Sequence, residues 1–126
     1  MANNPTVPDH DPRTLHQRQV LHVQLTAKLI AWAQDQGYEL TWGETFRTQL
    51  QANANAASGA GIAHSLHMLR LAVDFQLFKD GAYISDAAAY QPLADYWLTL
   101  DPLACAGYYF QSVDADHFSI TYQGIK

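Results

Sequence analysis

Between residues 70 and 79 the chain alternates. Leu71, Val73, Phe75 and Leu77 fall on one face of an extended segment, and Ala72, Asp74, Gln76 and Phe78 on the other. The pattern predicts a strand, with Asp74 in a position where an ionised carboxylate costs several kcal/mol unless something positive meets it (of order 2–7). Upstream, "RTLHQRQVLHVQLTAKLIAWAQDQG" has helical spacing, with Val23, Ala27 and Ile30 and then Leu25, Leu29 and Trp32 as its apolar face. Asp11 before Pro12 reads as its N-cap and first position, and Gly37 as its stop. "YELTWGETF" alternates like a strand, and the Ala-rich "RTQLQANANAAS" reads as a helix closing at a flexible "SGAGIA". After the Asp74 strand, "KDG" signals a turn and "AYI" a returning hairpin arm. Pro92 opens a second clear helix in which Leu93, Trp97 and Leu100 share a face, and the end of "YYFQSVDADHFSITY" alternates again. Helices and strands mix without a βαβ rhythm. The expectation is therefore a small α+β domain over residues 12–126, with a central antiparallel sheet flanked by helices and a loose arm over residues 1–11.

The chain has 126 residues, of which 48% are hydrophobic, enough for one core. Its net charge of −5, with seven Lys plus Arg scattered along it, argues against nucleic acid or an anionic membrane surface as partner. No run is long enough for a membrane span, so no stable membrane insertion is expected. The opening "MANNPTVPDHDP" lacks the basic start and apolar run of a secretory signal, which predicts synthesis and folding in a cytoplasm. Cys105 is the single cysteine, so internal disulfides and Cys-rich zinc frameworks are excluded, and it reads as a small buried residue.

The six histidines separate by spacing. His10, His16 and His22 lack acidic or histidine neighbours at ligand spacing and read as solvated, while His64 is at most a secondary contact. His67, Asp74 and His117 form a set that could hold zinc with a fourth position open, which would give Asp74 its positive partner. The competing reading pairs Asp74 with Arg70 or Arg47 and leaves the histidines as satisfied core residues. Asp114, three residues before His117 in "DADHF", stands where a general base would be needed. Asp116 competes for that role, although its place beside His117 makes a joint approach harder, and both aspartates could instead be solvated turn residues.

"SLHMLRLAVDF" with "DADHF" resembles the zinc peptidases that cut peptidoglycan stem peptides: D-alanyl-D-alanine carboxypeptidases, D-Ala-D-Ala dipeptidases and phage L-alanyl-D-glutamate endopeptidases. The shared elements are Ser65 and His67, Ala72 and Asp74, Asp114 and His117, with Arg47 and Gln51 of "TFRTQLQ" upstream. They span roughly residues 40 to 120. "FKDG", "YWLTL" and "AGYYF" are most similar to compact endolysins of phages and prophages. The departures are Arg70 where many members have glycine, Asp116 where they have proline, and "CAGYY" where many show Trp-Gly. None falls on a ligand.

The resemblance implies one catalytic Zn²⁺ on the sheet, held by His67, Asp74 and His117. Asp114 would be the general base, Arg47 would stabilise the oxyanion or grip a substrate carboxylate, and Ser65 and Gln51 would orient substrate or the His67 loop. It implies a monomeric phage or prophage endolysin cutting the L-Ala-D-Glu bond of the stem peptide. Such an enzyme is made in the host cytoplasm and reaches the periplasmic wall through a separate membrane pore. A D-Ala-D-Ala carboxypeptidase or dipeptidase, and a non-catalytic zinc-stabilised binding module, are the alternatives.

Overall fold

A computed structural model of the chain describes residues 9–58 and 65–126. Helix α1 (Leu15–Asp35) is followed by strand β1 (Glu39–Trp42), helix α2 (Gln49–Ser58), strand β2 (Ala72–Lys79) and the short strand β3 (Ala82–Tyr83). Helix α3 (Gln91–Leu100) and strands β4 (Ala104–Ala106) and β5 (His117–Ile120) complete the fold. The sheet is antiparallel throughout, in the order β1-β2-β5-β4, and β3 pairs with the far end of β2. The expected α+β class is what the chain adopts. The strand β4 was not anticipated: "ACA" is too short to show a period, yet all three residues are buried between β5 and α3.

Alternation along β2 divides the protein into two sides. Val73, Phe75 and Leu77 are buried in the core with Phe118 and Ile120 of β5, Leu25 and Leu29 of α1, and Leu93 and Trp97 of α3. Two polar anchors lock this side. Trp97 Nε1 donates to the Ser119 carbonyl at 3.1 Å, and the Tyr90 hydroxyl receives Leu77 N–H at 3.1 Å while donating to the Phe75 carbonyl at 3.2 Å. The other side of β2 carries Asp74, Gln76 and Phe78, all half-buried.

Helix α1 differs from its sequence reading at its start and over part of its face, although Leu25 and Leu29 are buried as expected. Its N-cap is Thr14 rather than Asp11. Thr14 Oγ1 accepts from Gln17 N–H, and Gln17 Oε1 accepts from Thr14 N–H at 2.8 Å, a reciprocal capping box. Asp11 is engaged elsewhere, by Arg13. The buried face is Arg18, His22, Leu25, Thr26, Leu29 and Ala33, whereas Val23 is 68% exposed. Gly37 does end the helix, with φ +85° just past the C-cap Gln36 and its N–H on the Gln34 carbonyl.

Buried Arg18 forks onto the Asp9 carboxylate and donates to the carbonyls of Asp11, Arg13 and Thr121. Arg13 in turn forks onto Asp101, with both contacts at 2.9 Å. Residues 9–11 of the expected loose arm are thus tied to the end of β5 and to the loop after α3, while residues 1–8 lie outside the described residues.

His22 is a correction as well. Expected in solvent, it is 6% exposed, with Nε2 3.2 Å from the Phe118 carbonyl and its ring edge-on to Trp97. Burial holds its pKa at about 4, against 6.5 when solvated. The folded state therefore binds fewer protons than the unfolded chain between those values. The stability that neutral His22 carries is complete above pH 6.5 and is lost as pH falls toward 4, roughly 3 kcal/mol in all at ~1.36 per unit. Urea denaturation of wild type and His22→Gln at several pH values should show this. The variant's deficit shrinks by about that amount on going from pH 7 to pH 4, and a constant deficit would mean that His22 does not titrate in that window.

Candidate metal centre

Register and a turn assemble the site. Asp74 pairs directly with His117, the first residue of β5, so both side chains stand on the same side of the sheet, away from the core. Phe118, next along, is fully buried on the opposite side, as alternation requires. His67 lies on the turn that precedes β2, where Ser65 Oγ accepts its N–H at 3.1 Å and the Leu66 carbonyl accepts Leu71 N–H at 2.9 Å. The segment Gly43–Arg47, continuing from β1, closes the site. Gly43 N–H donates to the Asp74 carbonyl at 2.7 Å, Asp74 N–H to the Glu44 carbonyl at 2.8 Å, and Arg47 N–H to the His67 carbonyl at 3.1 Å.

The result places His67 Nε2 3.4 Å and His117 Nδ1 3.6 Å from Asp74 Oδ1, and the three ligand atoms all lie within 4.8 Å of one another. Asp74 pairs with neither Arg70 nor Arg47 in this arrangement. Arg70 stacks over the Phe46 ring, and Arg47 forks onto Glu44. Burial pushes the Asp74 carboxyl up, but His117 and His67 outweigh it and hold it at about 2. Burial pushes His67 down, yet Asp74 leaves it above its usual value.

These residues suit a divalent cation on two counts. Asp74 Oδ1 is buried and makes no hydrogen bond, the kind of lone pair that a cation would satisfy. Donors at about 2.1 Å around a tetrahedral ion stand about 3.4 Å apart, close to the 3.4 and 3.6 Å separations on the two sides of Asp74. His67 Nδ1 lies 3.0 Å from the Thr45 carbonyl, which makes it the protonated nitrogen and leaves Nε2 with its lone pair toward Asp74.

Around this group stand the other residues singled out from the sequence. Asp114 is more than half exposed, with its carboxylate 3.7 Å from His117 Nδ1. Its backbone closes a turn in which the Asp114 carbonyl accepts His117 N–H at 3.1 Å. Asp116 comes closer than its sequence position suggested, because its carboxylate gathers with those of Asp114 and Asp74. Burial first, and then the charges of Asp74 and Asp114, push its carboxyl well above the usual range. Arg47 is largely buried, while Gln51 lies in the first turn of α2 with an exposed side chain, its N–H on Thr48 Oγ1. His64 lies outside the described residues.

Glu44 and the Thr45 carbonyl were missed. The carbonyl carries no residue-type signal at all, whereas an acid three residues before Arg47 was there to be noticed. Arg70 has φ +57°, a region that favours glycine, which gives a backbone reason for the glycine that many members of the resembled family carry there.

No family model and no curated protein sequence matches this chain. Its fold does match solved structures, among them the crystal structure of the Serratia marcescens L-Ala D-Glu endopeptidase ChiX. The TM-score is 0.66 over 79% of this chain and 80% of that one, with 19% sequence identity. The likeness is one of fold.

Two outcomes test the centre. A divalent transition-metal ion at a hundred times its dissociation constant should stabilise the protein by about 2.7 kcal/mol, read as a rise of several degrees in melting temperature. Asp74→Ala should abolish that rise, and an equal rise in the variant would remove Asp74 from the donor set. The second outcome concerns Gly107, where a Cβ would stand 2.0 Å from the Asp114 carbonyl oxygen and 2.8 Å from His117 Cβ. Gly107→Ala must therefore displace the Asp114–His117 turn. It should cost about 1–3 kcal/mol and the ion-dependent rise together, and an unperturbed response would show that the turn is not what sets His117.

Proposed function

We propose that this chain is a zinc-dependent peptidoglycan endopeptidase that hydrolyses the L-Ala-D-Glu bond of the stem peptide, as a phage or prophage endolysin does. The observation that carries this reading is the uncompensated Asp74 oxygen between two imidazole nitrogens, with the Asp114 carboxylate at its exposed rim. The likeness of fold to an L-Ala D-Glu endopeptidase supports the choice of bond. A structural zinc site would close its fourth position, and an exposed carboxylate beside three ligands is what an open one requires. His67, Asp74 and His117 would hold the ion, which when bound would polarise the scissile carbonyl and bring the pKa of water from 15.7 to about 7.

The chain's own groups divide the remaining work. Asp114 takes the proton of the attacking water at its carboxylate and passes it to the departing amine nitrogen, as its 3.7 Å approach to His117 Nδ1 allows. Arg47 supplies fixed positive charge for the developing oxyanion or for a substrate carboxylate, a contribution on the order of 3 kcal/mol. Ser65 acts through the His67 turn, since its hydroxyl oxygen accepts the His67 N–H. Every one of these side chains comes from one chain, so a monomer suffices. Among the described residues no helix is long and apolar enough to cross a membrane. We further propose that the protein reaches the wall through a separate pore.

Mass spectrometry of purified Gram-negative peptidoglycan, digested with zinc or with a chelator, tests the reading. Expected are zinc-dependent peptides that begin at D-Glu, with L-Ala left on the glycan. Asp114→Asn should bind zinc as wild type does and lose about 10²- to 10⁴-fold in turnover. Release of terminal D-Ala alone would make the enzyme a carboxypeptidase, and no zinc-dependent product would overturn the reading altogether.

A further inference from the structure

We infer that Glu44 is the positioning residue of this site, a single carboxylate that orients Arg47 toward substrate and backs the His67 ring at Nδ1. The inference rests on the peptidase reading for its Arg47 half and on the metal centre alone for its His67 half.

Glu44 does three things at once. Its backbone carbonyl accepts Asp74 N–H at 2.8 Å, which fixes its Cα opposite the central ligand. Its carboxylate takes Arg47 in a fork, Nε at 3.2 Å on one oxygen and Nη2 on the other. The same carboxylate stands 3.7 Å from His67 Nδ1, on the side of the ring away from Asp74. Exposed ion pairs contribute little because solvent screens them and two long side chains must be held still. This pair differs on both points. The Arg47 side chain is only 13% exposed, and the peptide between the partners is pinned at Thr45 and Arg47 to the side chain and backbone of His67. The pairing does not come with helical geometry either, since Gly43–Thr48 form neither helix nor strand. The loop is shaped to bring the carboxylate there.

The chemical consequence has two parts. A planar guanidinium held at Nε and one Nη by a fork has a defined plane, so its remaining N–H groups point in one direction instead of sampling many. A negative charge behind Nδ1 strengthens the imidazole as a donor through Nε2, adding to what the Thr45 carbonyl provides. Arg47 and His67 reach the site from opposite ends of residues 47–67, and Glu44 is the group that registers one against the other.

The test compares wild type, Glu44→Gln, Arg47→Ala and the double variant. Readouts are zinc isotherms, kcat and KM on peptidoglycan fragments, and urea stability. Glu44→Gln keeps the shape and one hydrogen bond to Arg47 but loses the charge. It should weaken zinc binding by about tenfold, the low end for groups that orient ligands. It should lower kcat at saturating zinc by ten- to a hundredfold, with urea stability within error of wild type. In the Arg47→Ala background the same change should cost almost no further kcat, because the guanidinium that it orients is gone.

Wild-type zinc affinity together with wild-type kcat in Glu44→Gln would overturn the inference. So would equal kcat losses with and without Arg47, which would make Glu44 a proton-transfer group in its own right. An inactive wild type would sink the peptidase reading and leave the zinc isotherms to decide the His67 half.

Discussion

The pairing of Asp74 with His117 across β2 and β5 is the constraint on which the arrangement depends. Because side chains alternate along both strands, one register decides two things together. It puts Val73, Phe75 and Phe118 into the core and Asp74 and His117 onto the other side. A slip by one residue would bury the carboxylate among Leu25, Leu29 and Trp97 and expose the phenylalanines. The apolar core therefore enforces the geometry of the polar group, and hydrophobic burial of about 1.5–3 kcal/mol per large side chain holds Asp74 and His117 in register. The site needs no separate scaffold.

What the strands cannot supply is the second imidazole, that of His67, and the orientation of the rings, and both come from non-repetitive backbone. The turn over residues 65–70 delivers His67, and Gly43–Arg47 delivers the carbonyl that fixes its tautomer. Two glycines allow the close approach. A Cβ at Gly43 would meet the Asp74 carbonyl oxygen at 2.9 Å, and one at Gly107 would collide with Asp114. Backbone packs against backbone on both sides of the ligand group, which accounts for how much chemistry gathers in a short space.

Much of this was legible in advance, and the misses share one physical origin. Regular periods exposed β2, β5 and α3, and the acid in the middle of an alternating strand pointed to Asp74, because a charge there needs a partner whatever the fold. Periodicity failed where polar residues are buried. Arg18 and His22 occupy the inward face of α1 beside Leu25 and Leu29, so of the expected apolar face those two leucines are buried while Val23 and Ala27 are exposed. Each buried group meets a distant partner, the Thr121 carbonyl for Arg18, besides nearby Asp9, and the Phe118 carbonyl for His22. Contacts across a hundred residues leave no local pattern. The cap at Thr14 was readable as Thr-x-x-Gln, but Asp11-Pro12 offered a competing start, and the choice turned on Arg13 drawing Asp11 away. Glu44 and the Thr45 carbonyl matter only because the loop returns to His67.

Electrostatics gives the last step. Asp74, Asp114 and Asp116 bring carboxylate oxygens within 4.8 Å of one another. At an effective dielectric constant of 20, two full charges at that separation repel by about 3 kcal/mol. Among the described residues, His67 and His117 are the basic side chains in contact with this group, while the Arg47 guanidinium is already committed to Glu44. A divalent ion among His67, Asp74 and His117 would stand close to all three acids and turn their mutual repulsion into attraction toward a common centre. The same accumulation of acid that burdens the folded chain would then confer preference for a doubly charged ion. Asp114 is the most exposed of the three, and its turn keeps its carboxylate 3.7 Å from His117 Nδ1.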